Sequence, residues 1–361
     1  MMQISKAVDI LSNAYICLIK ADSPITLMPS VMLWGAPGVG KSQGVRQIAS
    51  KIELETKKKV KVTDVRLLLF NPIDLRGIPT VNKDKSLAIW LKPQIFNMDP
   101  SDDVVNILFL DEISAAPQSV QAAAYQITLD RKVGEHSLPD NCIVIAAGNR
   151  VTDKSVAYKM PKALANRLLH IDVESNFDSW HKWAIENSIN DKVVGFIAFK
   201  RNRLMAFDSE TDDLAFATPR SWELVSNILN NIADDEDNLF KLIAGIVGDG
   251  VASEFRMYLR IYHNLPDIEQ IFNGKCNDVP LGVDSLYALS SSMVAYVREH
   301  KEDMKGIINS IKYATKLPVE YSVLTLKDYL YIDEQLKKKL LKTPEYVKWL
   351  EEKGDIVNAI I

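Results

Sequence analysis

Cysteine is scarce in this sequence and poorly placed for chemistry. Cys17, Cys142 and Cys276 are odd in number, far apart and form no CxxC pair. A disulfide framework or a zinc site is therefore not expected, and a reducing cytoplasm is the compartment that fits. Histidine is equally thin: His136, His170, His181, His263 and His300 are scattered, and none is assigned to a metal. No run of about 20 apolar residues occurs, so no membrane span is expected. At the N-terminus Ile4, Ala7, Val8, Leu11, Tyr15 and Leu18 recur at helical spacing, but Lys6, Asp9 and Asn13 interrupt them. That segment reads as an amphipathic helix packed on a domain and not as a secretory signal. Positive charge is in short supply as well. Forty-three Lys and Arg face 47 Asp and Glu, and the net charge of −4 argues against a chain that coats nucleic acid. What remains is an ordinary globular composition over 361 residues, enough for two or three domains.

Five apolar, partly β-branched runs stand out: Val31 to Gly35, Val60 to Leu69, Val104 to Asp111, Cys142 to Gly148 and Leu168 to Val173. Helical patterns separate most of them, Lys41 to about Glu55 being the clearest. Strands alternating with helices predict βαβ units and a parallel sheet covered on both faces. Two segments break the alternation. Asp74 to Pro93 has β-type stretches around the polar turn Lys83-Asp84-Lys85, and Leu129 to Asn141 has a similar pattern, so both are expected to be hairpins. Beyond about Glu174 the strand signals fade into helical ones. The expected organisation is an α/β core over residues 1–175, an all-helical region over 176–265 and a further helical segment over 266–361.

The densest chemical signal is GAPGVGKS at Gly35-Ala36-Pro37-Gly38-Val39-Gly40-Lys41-Ser42, a GxxxxGK[ST] pattern between a predicted strand and a predicted helix. Glycines let successive backbone N–H groups turn inward toward phosphate oxygens, and the helix that follows, with Gln43 in its first turn, aims its positive end at the same place. Lys41 can reach the β- and γ-phosphates, and the Ser42 hydroxyl can ligate Mg²⁺. In ILFLDE, four apolar residues bury a strand and Asp111 emerges at its C-terminal edge, where open α/β sheets bind ligands. Asp111 is expected to hold Mg²⁺ through water, and Glu112 to orient or deprotonate the attacking water. Asn149, at the tip of the IVIAAG strand, would sit between the two motifs, near the γ-phosphate.

Other features read more plainly. The acids Asp208, Glu210, Asp212 and Asp213 lack the central glycine and terminal glutamate of an EF-hand loop, so a solvated loop is expected. Trp180 and Trp183 fall on one helix and read as core. Arg131 and Arg150 are weaker candidates for an interface.

In this order and approximate spacing the motifs resemble those of AAA+ ATPases, and more narrowly of the MoxR-like branch. GAPGVGKS is similar to Walker A, ILFLDE to Walker B, and AAGN to sensor 1 with Asn149 as its polar residue. ALANRLLHIDV resembles the arginine-finger segment, with Arg167 in the finger position, and ATPRSWE resembles sensor 2, with Arg220 at the start of a lid helix. The two hairpins resemble the helix-2 insert and the pre-sensor-1 hairpin. The resemblance covers about Met1 to Leu265. It implies a five-stranded sheet of order 5-1-4-3-2 flanked by helices, an all-α lid, ATP and Mg²⁺ at subunit junctions, and a homo-oligomeric, usually hexameric ring. It also implies remodelling of a client protein or complex, often with a partner that carries a von Willebrand factor A domain.

Three other readings share the loop. A nucleic-acid motor or restriction-type translocase subunit would suit Lys83 and Lys85 on the first hairpin, but not the acidic balance. A small-molecule kinase has no need of Asn149, Arg167 and Arg220 together. A non-catalytic nucleotide switch does not explain an intact Glu112.

Overall fold

A computed structural model describes residues 1–150, 160, 162–206, 213–232 and 235–360; for Ala163, Leu164 and residues 354–360 it describes the backbone alone. Asp208, Glu210 and Asp212 lie outside the described residues. The chain forms two compact units, Met1–Asn176 and Phe177–Ile361.

Among its described residues the first unit holds ten strands: β1 (Met2–Gln3), β2 (Val31–Trp34), β3 (Lys59–Arg66), β4 (Ile78–Val81), β5 (Ala88–Leu91), β6 (Val104–Asp111), β7 (Lys132–Val133), β8 (His136–Ser137), β9 (Cys142–Gly148) and β10 (Leu169–Glu174). Its helices are α1 (Ile4–Lys20), α2 (Lys41–Thr56), α3 (Pro72–Arg76), α4 (Gln118–Asp130) and α5 (Lys162–Ala165). Six strands form one parallel sheet of order β1-β10-β2-β9-β6-β3. Its five long strands follow the expected order 5-1-4-3-2. The sixth, β1, is an addition: Met2 and Gln3 pair with Val173 and Glu174 at the outer edge. Two residues are too few to leave a strand pattern in a sequence.

β6 and β9 are buried almost end to end, as a parallel sheet covered on both faces requires. Met32, Leu108, Leu110, Val144 and Ala146 pack with Val120, Ala123, Ala124 and Ile127 of α4. The alternate set Val31, Leu33, Ile107, Phe109, Ile143 and Ile145 is buried too, because successive side chains of a strand point to opposite faces. The amphipathic N-terminal helix is α1, which buries Ala7, Val8, Leu11 and Tyr15 and packs on α2. β3 departs from its expected span. It ends at Arg66, and Leu67–Leu69 turn into a 3₁₀ segment that buries Leu67 and leaves Leu68 and Leu69 exposed.

Both interruptions are hairpins. β4 and β5 pair antiparallel around the turn Asn82–Ser86, and β7 and β8 around Gly134 and Glu135. His136 Nε2 lies 2.8 Å from the Trp90 carbonyl oxygen, so the two hairpins touch. The first carries exposed apolar side chains at Ile78, Val81, Leu87, Ile89 and Leu91.

The second unit is helical throughout its described residues: α6 (Phe177–Glu186), α7 (Asp191–Phe199), α8 (Pro219–Asn231), α9 (Glu236–Val247), α10 (Asp249–Leu259), α11 (Ile268–Phe272), α12 (Val283–Glu299), α13 (Met304–Ala314), α14 (Val319–Ile332), α15 (Glu334–Leu340) and α16 (Pro344–Ile360). The division expected near residue 265 does not part this unit. Trp180, Phe196, Trp222 and Phe255 share one apolar core with Phe272, Leu289, Ile311, Tyr329 and Trp349. α7 packs along α12, so helices from both sides of that position need each other to bury their apolar faces. Among the described residues, no helix is long and apolar enough to cross a membrane.

Candidate nucleotide site

The site assembles at the C-terminal ends of β2, β6 and β9, which lie side by side in the sheet. The loop Gly35–Gly40 leaves β2 and runs into α2. Gly40 caps that helix at φ 94°, a left-handed conformation that a side chain would strain, and being glycine it brings no side-chain acceptor of its own. The first N–H groups of α2 and its positive dipole end thus face the loop, the arrangement that suits an anion. Ala36, Pro37, Gly38 and Ser42 are half-buried, Gly35 and Val39 are buried, and Gln43 is exposed on the first turn of the helix.

Lys41 is buried, with 9% of its surface exposed. Its Nζ donates to the Gly35 and Ala36 carbonyl oxygens at 2.6 and 3.1 Å and to Asn149 Oδ1 at 3.0 Å. The ammonium is therefore folded back under the loop, and Asn149 at the end of β9 touches it directly. Next to it the Ser42 hydroxyl donates to Asp111 Oδ2 at 2.9 Å, and Asp111 Oδ1 accepts from the Glu112 N–H at 2.9 Å. Glu112 stands at φ 59°, so the chain turns sharply as it leaves β6. Ser42 and Asp111 form an all-oxygen pair of the kind that a hard cation such as Mg²⁺ prefers. Among the described residues, no three His, Cys, Asp or Glu gather into a metal site complete in itself. A cation at Ser42 and Asp111 would draw its other ligands from phosphate and water.

A second layer fixes these groups. Ser114 Oγ accepts the Asn149 N–H at 2.9 Å, and the Ile113 N–H donates to the Ala147 carbonyl at 2.9 Å, so the turn after β6 is pinned to the end of β9. Gly148 permits this approach, since a Cβ there would lie 2.8 Å from Ser114 Oγ. Asp64 on β3 is drawn into the same field. Partial burial and then the negative charge of Asp111 push its carboxyl above the usual range. Neither Ser114 nor Asp64 carries a motif. Their roles come from pairings between strands that no local spacing reveals.

The arginines divide. Arg167 is exposed in the turn between α5 and β10. Arg220 belongs to the second unit, where it is exposed in the first turn of α8; Pro219 and the Thr218–Ser221 capping box start that helix. Arg150 and Arg131, expected as interface candidates, are engaged internally. Arg150 Nε donates to Asp172 Oδ1 at 2.9 Å and Nη2 to the Val173 carbonyl at 3.1 Å. Arg131 Nη2 donates to the Cys142 and Pro139 carbonyls at the base of the second hairpin. Burial pushes the Cys142 thiol up to about 11, which keeps it protonated and inert.

Residues 30–170 match the family model described as the ATPase family associated with various cellular activities (AAA). The first unit carries an AAA ATPase domain. The chain is thus an ATP-hydrolysing P-loop enzyme, and the matched AAA segment contains Lys41, Ser42, Asp111, Glu112, Asn149 and Arg167. No curated protein matches the chain. Among solved structures it is similar to a mutant RuvB of Thermotoga maritima, at 17% identity over 81% of this chain and 83% of that one, with a TM-score of 0.41. It is also similar to NtrX from Brucella abortus (14% identity, 88% and 67% covered, TM-score 0.36) and to PCH-2 of C. elegans (11% identity, 83% and 68% covered, TM-score 0.33).

Proposed function

We propose that this AAA ATPase is a Mg²⁺-dependent, ring-forming machine of the MoxR-like branch that uses ATP hydrolysis to remodel a partner protein. The observation that carries the reading is the convergence of Lys41, Asn149, Ser42, Asp111 and Glu112 at adjoining strand ends. The loop and the first turn of α2 would receive the phosphates through backbone N–H groups. Lys41 Nζ already donates to the Gly35 and Ala36 carbonyls and to Asn149. A phosphate oxygen that reaches the ammonium competes with these bonds, and the bond to Asn149 links that exchange to the tip of β9. Ser42 and Asp111 would hold Mg²⁺, which when bound neutralises phosphate charge. Glu112 orients the attacking water and takes its proton. Arg167, exposed in its turn, suits a role at a neighbour's site, where an arginine stabilises charge on the transferring phosphoryl group. Arg220 is assigned the corresponding role in the lid.

The kind of client is argued from the first hairpin. Its exposed Ile78, Val81, Leu87, Ile89 and Leu91 outnumber the two lysines at its tip. Exposed apolar side chains of this kind favour a protein over a nucleic-acid backbone. A von Willebrand A-domain protein is the partner that the MoxR-like resemblance suggests.

The test is Glu112→Gln, which keeps size and the backbone turn but removes the base. ATP should still bind, and turnover should fall by about 10²–10⁴-fold. Hydrolysis near the wild-type rate would refute the assignment of Glu112.

A further inference from the structure

Two side-chain braces run from the nucleotide end of the sheet to β10. The first starts at Trp34, the last residue of β2 and the neighbour of Gly35. Its indole Nε1 donates to His170 Nδ1 at 2.8 Å, with the two rings within 12° of parallel and their centroids 6.1 Å apart. An indole N–H can only donate, so His170 Nδ1 is the acceptor and the ring proton stands on Nε2. That Nε2–H donates to the Ala165 carbonyl at 2.7 Å. Ala165 closes α5 and lies two residues before Arg167; its carbonyl also accepts the Leu168 N–H at 3.2 Å, which closes the turn that presents Arg167. The second brace is the Arg150 pair with Asp172 and Val173, leaving from the residue after Asn149. His170 and Asp172 stand on the same outward face of β10, opposite the buried Ile171 and Val173.

We infer that His170 is a positioning residue that sets the Arg167 turn by reference to the phosphate loop. The imidazole acts as a two-ended spacer. One nitrogen is fixed by the residue that begins the loop, and the other fixes the helix end that precedes the arginine. Movement of the loop on nucleotide exchange is thereby transmitted to the arginine that the subunit offers its neighbour. The inference rests on the reading of Arg167 as a residue that completes a neighbour's site.

The test is a double-mutant cycle on the full-length protein, with kcat and KM for ATP and the melting temperature measured for His170→Ala, Trp34→Phe, Arg167→Ala and the double variant His170→Ala/Arg167→Ala. Loss of the spacer should lower kcat about tenfold, and up to a hundredfold if the guanidinium moves by about 1 Å, with KM unchanged. Trp34→Phe removes only the N–H donor and should lower kcat in the same direction by less; it also serves if His170→Ala fails to fold. The double variant should be no slower than Arg167→Ala alone, because His170 acts only through Arg167. A further tenfold loss in the double variant, a raised KM with kcat unchanged, or wild-type turnover in both His170→Ala and Trp34→Phe overturns the inference. If Arg167→Ala itself hydrolyses ATP at the wild-type rate, the underlying reading of Arg167 fails first, a result distinct from a silent His170.

Discussion

In the first unit Lys41, Ser42, Asp111, Glu112 and Asn149 gather at strand ends, where the sheet stops and a ligand can enter. In the second unit the corresponding polar chemistry is folded inward. His181 Nε2 lies 2.7 Å from Asp328 Oδ2 with both side chains buried, Tyr329 donates to Ser310 at 3.0 Å, and Trp349 donates to Ser322 at 3.1 Å. These bonds join α6, α13 and α16 to α14, inside the core that spans the whole unit. The same residue types therefore serve opposite ends. At the sheet edge the polar atoms hold one another in an arrangement that an anion and a cation can enter. Among the helices they are closed off from water, and each would be costly if left alone.

The sharpest way to break this contrast is to delete one charge from each unit. Lys41→Ala should abolish ATP binding and leave the melting transition of the helical unit where it is. Asp328→Ala should do the reverse. It leaves the buried His181 Nε2 without its hydrogen-bond partner and should cost roughly 1–3 kcal/mol in denaturant unfolding, the usual penalty for a buried polar group left unsatisfied. Loss of stability without loss of nucleotide binding in Lys41→Ala would show that the lysine is scaffold.

A smaller effect is expected at the first hairpin. Replacing Asn82–Ser86 by a tight two-residue turn should leave basal ATPase and the melting temperature nearly unchanged, because that turn is exposed and its hydrogen bonds stay within the hairpin. Client-stimulated turnover should fall. A drop of several degrees in melting temperature would mean that the hairpin belongs to the core.

The smallest effect concerns Asp64. A carboxyl lifted by partial burial and by Asp111 costs the folded state something whenever it is ionised. That cost is absent below the unfolded carboxylate pKa and complete above the raised folded value. Asp64→Asn should therefore raise the melting temperature slightly at pH 7, with the gain fading toward pH 3. An equal gain at both pH values would point to packing instead of charge.

How far the sequence could be read follows from how local each signal is. β6 and β9 were legible to the residue because strands buried on both faces are unbroken apolar runs. The phosphate loop, Asp111 and Glu112 were legible because their chemistry dictates spacing within a few residues. β3 was overextended: Leu67–Leu69 continue its apolar pattern, yet only Leu67 finds a place in the core. The shared core of the second unit was hidden because helical periodicity says which face is buried and not against which helix. Arg150 and His170 were out of reach for the same reason. Asp172 is 22 residues from Arg150, and Trp34 is 136 residues from His170, with nothing in either neighbourhood to mark the pairing.

Trp34 has one more consequence, and it is optical. Of the six tryptophans, only Trp34 and Trp90 lie in the first unit. Trp34 alone is covalently joined to the phosphate loop, and its excited indole donates a hydrogen bond to an imidazole. Any rearrangement of Gly35 or His170 changes the polarity and the quencher that this fluorophore meets. In a Trp90→Phe background, Trp34 is the one tryptophan left in the AAA domain, and the enzyme carries its own unlabelled probe for the arrival and departure of nucleotide.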